Sequence, residues 1–67
     1  MTIRDLFMVM DSMTSESIIA VRDITGKAIF EGELHLFSSH HTALFKTQNL
    51  THVRYREDIG IWELEIW

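Results

Sequence analysis

Two five-residue segments constrain this chain more than any other feature: Arg22-Asp23-Ile24-Thr25-Gly26 and Arg56-Glu57-Asp58-Ile59-Gly60. Each carries an Arg, an acid and an Ile and closes on Gly, and each separates two runs of alternating polarity. Glycine at the end of a short loop accepts the left-handed conformation without steric cost, so both segments read as hairpin turns. Before the first turn stands the β-branched run from Ser17 to Arg22. After it, Ala28, Phe30, Gly32, Leu34 and Leu36 alternate with Ile29, Glu31, Glu33 and His35. A four-residue loop Asp23–Gly26 predicts Ile19 opposite Phe30 and Val21 opposite Ala28. Gly32 in mid-strand predicts a bulge or close approach by a helix.

The second unit follows the same plan. Thr51, Val53 and Tyr55 alternate with His52, Arg54 and Arg56, and Trp62, Leu64 and Ile66 alternate with Glu63 and Glu65. A four-residue loop Glu57–Gly60 puts Arg54 opposite Glu63 and His52 opposite Glu65. Opposite charges across antiparallel strands are each worth only about 0.2–1 kcal/mol. They still specify a register, and it agrees with the one the apolar pattern demands.

Ahead of these strands, Thr2 and Asp5 have the spacing of a capping box. Ile3, Leu6, Phe7 and Met10 recur at helical spacing, Val9 and Met13 widen the stripe, and Met8 falls on the polar side. The spacing predicts an amphipathic helix of roughly three turns, ending between Ser12 and Ser15. Between the two units, Ser38 or Ser39 is a candidate N-cap for a short helix containing His40, His41, Leu44 and Phe45, with Asn49 near its end. The expected fold is a single α+β domain over residues 1–67 in the order α-β-β-α-β-β. A small antiparallel sheet of two hairpins carries the N-terminal helix on one face.

A chain of 67 residues buries only about 60% of its unfolded surface, so it depends on a minimal core, a bound ligand or self-association. It contains no cysteine, which removes disulfides and thiolate metal sites. Its formal charge is −4, from ten acids against six bases, which lowers the prior for a general nucleic-acid binder. No apolar run approaches the roughly 18 residues needed to cross a bilayer. The N-terminal segment lacks the apolar core of a secretion signal. A cytoplasmic protein is the expectation.

Chemistry-bearing groups are few. Three of the four histidines, His35, His40 and His41, fall within seven positions, and His52 follows. Zinc requires three or four ligands converging at about 2.0–2.1 Å, and this spacing matches no zinc-finger or ribbon pattern. Only His35 and His52, both on the expected outer sheet face, could meet, and then only if strands 2 and 3 are neighbours. They are weak metal candidates, and no cofactor is expected. Glu31 with Glu33 and Glu63 with Glu65 could be paired carboxylates, but that spacing is also what a solvated strand face looks like. With no nucleophile elbow or phosphate loop, the expectation is no enzymatic activity.

Lys46, His52, Arg54, Tyr55 and Arg56 form a locally basic stretch. Tyr55 has core parity, however, and the arginines face glutamates, so nucleic acid is not the expected partner. The remaining reading is protein binding. Trp67 at the chain end, with Ile18, Ala20, Ile29 and Phe37 on the outer face, predicts something that covers that face, either a second copy in a homodimer or a larger protein. The expected interface comprises Trp67, Ile18, Ile29, Glu31, Glu33, Glu63 and Glu65.

The frame T-I-R-D-L at residues 2–6, F-E-G-E at 30–33 and the closing alternation at 61–66 resembles a group of short uncharacterised proteins of bacteria, their phages and mobile elements. The histidine-rich middle departs from that group's usual acidic, leucine-containing connection, and no catalytic or binding residues carry over. The resemblance implies a phage or mobile-element protein. Small acidic proteins of that kind include anti-CRISPR-like inhibitors, which occupy the surface of a larger host defence nuclease. The alternative reading is a metal-responsive or nucleic-acid-binding regulator.

Overall fold

The computed structural model describes all residues from Met1 to Trp67. Seven elements follow one another: α1 (Ile3–Val9), β1 (Ile18–Asp23), β2 (Ala28–Glu33), α2 (Leu34–His40), α3 (Thr42–Thr47), β3 (Leu50–Arg56) and β4 (Ile61–Ile66). The strands form one sheet in the order β2-β1-β4-β3. Antiparallel pairing joins β1 to β2 and β3 to β4, while β1 and β4 run parallel. The sheet is therefore mixed, not the antiparallel sheet the sequence predicts. The central pair is the more apolar one: Ile19, Val21, Leu64 and Ile66 are all buried. Placing β1 beside β4 puts those four side chains in the middle of the core, and β2 and β3 become the two edges.

All three helices contribute to one side of the sheet. Ile3 and Leu6 of α1, Leu34 and Phe37 of α2, and Phe45 of α3 join Ile19, Val21, Trp62, Leu64 and Ile66 in a single buried cluster, with Met13 from the loop after α1. Phe37 is fully buried rather than on the outer face where the strand reading puts it. Its ring centroid lies 5.2 Å from that of Phe30, 5.4 Å from His41 and 6.4 Å from Phe45. No polar side-chain atom is buried without a hydrogen-bond partner.

Local chemistry accounts for where each element departs from expectation. The capping box forms as expected: the Asp5 amide donates to Thr2 Oγ1, and the Thr2 amide donates to Asp5 Oδ2. The helix nevertheless stops at Val9, because Met10 is extended (φ −98°, ψ 105°). Val9 is consequently exposed instead of joining the stripe, as Met8 also is. The second strand ends at Glu33, four residues before the expected Phe37. Helix α2 starts there with no side-chain cap, so its first-turn N–H groups need other acceptors. The Leu34 amide donates to the Ser17 carbonyl and the His35 amide to the Ser15 carbonyl. The expected single short helix is two helices that meet at His41. Ser38 and Ser39 do not cap it. Both hydroxyls donate back to the His35 carbonyl within α2.

The first hairpin has a three-residue loop, with the Asp23 amide donating to the Lys27 carbonyl and the Gly26 amide to the Asp23 carbonyl. Gly26 has φ 86°, as the left-handed closing position requires. A register shift follows between Val21 and Arg22, so Val21 faces Phe30 and Ile19 faces Gly32. The offset from the expected register is two residues, which preserves side-chain parity. Gly32 lies under a side chain of its own strand, not under a helix: a Cβ there would sit 3.1 Å from Cζ of Phe30. In the second hairpin Arg54 faces Glu63 and His52 faces Glu65, the register that charge pairing predicts.

Candidate docking face

With the helices gathered on one side, the other side of the sheet is open. The register arranges its side chains in three transverse rows, each read from β2 through β1 and β4 to β3. The first is Glu33, Ile18, Ile61 and Arg56. The second is Glu31, Ala20, Glu63 and Arg54. The third runs from Ala28 through Arg22 and Glu65 to His52. Ile18 is 37% exposed although it occupies a central strand, while its neighbour Ile19 is fully buried. The difference is one of face: helices cover Ile19 and nothing covers Ile18.

The charge on this face has a direction. Carboxylates of Glu31 and Glu33 mark the β2 edge, and Arg54, Arg56 and His52 mark the β3 edge. Several of these groups already have partners within the chain. His35 Nε2 lies 3.3 Å from Glu33 Oε2. Arg56 donates to Asp58 through Nε at 3.2 Å and Nη2 at 3.0 Å, and its Nη1 lies 3.6 Å from Glu63. The hydrogen bonds that Arg56 donates to Asp58 raise the Arg56 pKa and hold the Asp58 carboxyl below its ordinary range. Glu31 and Arg54, at opposite ends of the middle row, take part in no ion pair. Arg22 and Glu65 of the third row are likewise in no ion pair, though Glu65 accepts from the Thr51 hydroxyl.

Small Ala20 in the middle row leaves a depression of about 150 Å³, bordered by Arg22, His52, Glu63 and Glu65. On the helical side a second hollow of about 210 Å³ is bordered by Ser12, Ser17, Tyr55, Gly60 and Trp62. Small-molecule pockets typically measure about 300–1,000 Å³. The depression is sized for one or two side chains of a partner, not for a buried substrate.

Of the residues singled out in the sequence, Ile18, Glu31, Glu33, Glu63 and Glu65 come together on the open face. Ile29 does not: the shift in the β1–β2 ladder lies beside it, and it packs partly against the core. Trp67 stands beyond β4, 66% exposed, with its amide donating to the Asn49 carbonyl. Sequence reasoning passed over Ile61, which shares the parity of Glu63 and Glu65 and could have been found from it. Arg22 was passed over because its neighbours depend on the parallel β1–β4 pair. The histidines disperse. His35 is in α2 after one edge strand and His52 is on the other edge strand, so the meeting that neighbouring strands 2 and 3 would allow does not occur. His40 ends α2, and His41 packs against Phe37 and Phe30. No three His, Asp or Glu side chains are grouped to hold a metal ion.

The fold and this face define a small α+β protein with a four-stranded mixed sheet, helices on one side and an uncovered charged face on the other. No helix is long and apolar enough to cross a membrane. Comparison with protein-family models, with curated proteins and with solved structures finds no match in any of the three.

Proposed function

We propose that this chain is a small protein-binding module, encoded by a phage or mobile element, that acts in the cytoplasm by occupying the surface of a larger host protein. An anti-CRISPR-like inhibitor of a host defence nuclease is the specific form of this reading. The observation that supports it is the open sheet face, where Ile18 and Ile61 lie side by side with no helix over them. Uncovered apolar groups flanked by charged side chains, here Glu33 on one side and Arg56 on the other, are the composition of an interface. The carboxylates of Glu31, Glu63 and Glu65 suit a basic groove built to hold nucleic acid, and the proposed action is steric, with no catalytic step.

The test is expression of the chain in a host whose CRISPR nuclease targets a phage. Restored plaque formation, lost when Ile18→Asp and Glu63→Lys are introduced together, is the expected result. Unchanged interference, with no binding of the purified nuclease in calorimetry, would sink the reading.

A further inference from the structure

The order of side chains on the open face makes it complementary to itself, and we propose that in the absence of any other partner a second copy of this chain occupies it. This pairing rests on the reading of the open face as a docking surface and names its first occupant. Consider a half-turn about an axis lying in the interface, parallel to the strands and midway between β1 and β4. The operation reverses the strand order from side to side while leaving each row at its own height. Every row then faces its own reverse in the second copy.

In the first row Ile18 meets Ile61 of the second copy, giving an apolar contact at one end of the face. In the middle row Glu31 meets Arg54, twice, by symmetry, and Glu63 stands over the depression at Ala20. In the third row Arg22 meets Glu65. Each of these matches follows from the observed register. Two-fold pairs of this kind are the commonest form of closed association, and stacked sheets pack about 10 Å apart.

Other self-pairings place like charges together. A half-turn about an axis across the strands, between the first and middle rows, sets β2 over β2, with Glu31 of each copy facing Glu33 of the other. Edge-to-edge pairing of β3 with β3 juxtaposes His52, Arg54 and Arg56, and charged edges of this sort discourage such pairing. Only the first arrangement matches acid to base along the face.

Four strands about 4.8 Å apart and six residues at about 3.3 Å each span roughly 19 by 20 Å. That is roughly 400 Å² per copy, half the ~800 Å² that each partner of a standard interface contributes. The pair is therefore weak and exchangeable, which suits a face that must also be freed for another protein.

Sedimentation equilibrium of the purified chain, carried to roughly 1 mM because an interface this small is weak, tests the proposal. The wild type is expected to form dimers as concentration rises. Glu31→Arg puts like charges together at both symmetry-related contacts, and so does Arg54→Glu. Each alone is expected to weaken the dimer by about tenfold or more. An equimolar mixture of the two variants restores opposite charges at both contacts, and recovery of a heterodimer is expected. That recovery also shows that both variants fold. A wild type that stays monomeric, single variants that dimerise as well as wild type, or a mixture no better than its components would each overturn the proposal. The purified chain alone decides this, so dimerisation without nuclease binding leaves the pairing standing, and nuclease binding without dimerisation removes it.

Discussion

The rings of Tyr55 and Trp62 lie with centroids 4.8 Å apart, yet Trp62 is 7% exposed and Tyr55 46%. The two face each other across β3 and β4 on the helical side of the sheet. Edge strand β3 therefore extends beyond the helical cover, and Val53 is 37% exposed for the same reason. Trp62→Ala is expected to cost about 3–5 kcal/mol, enough to unfold most molecules of a domain this small. Tyr55→Ala loses mainly the ring contact, about 0.5–1.5 kcal/mol. Urea denaturation distinguishes them: equal losses for the two would mean that β3 is covered after all.

Phe37 supports a different part of the core. It joins α2 to Phe30 of β2 and Phe45 of α3, and no surface of it reaches water. Phe37→Ala is expected to cost about 3–5 kcal/mol and Phe37→Leu distinctly less, because leucine refills most of the cavity. Leu36 on the same helix is 37% exposed, and Leu36→Ala is expected to stay within about 1 kcal/mol of wild type. Thermal melts of the three variants check the order.

These two neighbourhoods also show what was legible in the sequence. The β3–β4 register could be read because loop length, apolar parity and the His52–Glu65 and Arg54–Glu63 pairs all pointed to it. The start of α2 could not. Glu33-Leu34-His35-Leu36-Phe37 alternates like a strand and also places Leu34 and Phe37 three apart like a helix. The decision falls to the carbonyls of Ser15 and Ser17, which accept the first-turn amides only once the chain has folded back. The parallel pairing of β1 with β4 was hidden for a related reason: it depends on which two hairpin strands share the core, a property of the whole sheet. The glutamates of the open face followed from parity alone. Ile29 was misplaced because the adjacent register shift is a local event that the alternating pattern does not mark.

The Asp23 carboxylate is the centre of the first turn. Its Oδ1 accepts from the Thr25 hydroxyl at 2.6 Å, the Thr25 amide at 2.9 Å and the Lys27 amide at 3.0 Å. The Thr25 hydroxyl is the main cause of its lowered pKa. A carboxyl whose pKa is lower folded than unfolded stabilises the fold above its unfolded value, near 4, and that contribution disappears as pH falls through the native value. Asp5, held by the Thr2 backbone and side chain, has the same sign. Stability is therefore expected to fall from pH 5 towards about pH 2. Thr25→Ala should move the Asp23 carboxyl back towards its ordinary value and flatten part of that fall. A carboxylate titration by NMR in both proteins checks the direction, and an unmoved Asp23 would exclude Thr25 as the cause.

Gly26 offers a test of conformation without contacts. A Cβ added there meets no atom within 4 Å, so space is not the obstacle. Its φ of 86° is. Gly26→Ala is expected to cost about 1–2 kcal/mol from backbone strain alone. Gly26→Asn should cost less, since asparagine tolerates the left-handed region better. A neutral Gly26→Ala in urea denaturation would show that the loop can relax to another turn type.

The histidines supply the last prediction. His35 follows β2 at one edge of the sheet and is paired with Glu33, while His52 stands on β3 at the opposite edge. A metal that binds only the native state raises the melting temperature with concentration, by mass action. With no group of three ligands to hold it, zinc at about a hundred times a micromolar protein concentration is expected to leave the tag-free protein's melting curve unchanged. His35→Ala and His52→Ala should show the same indifference. A rise of several degrees in wild type that either substitution abolishes would bring back the metal-responsive reading. It would also require the two sheet edges to approach each other, in one molecule or between two.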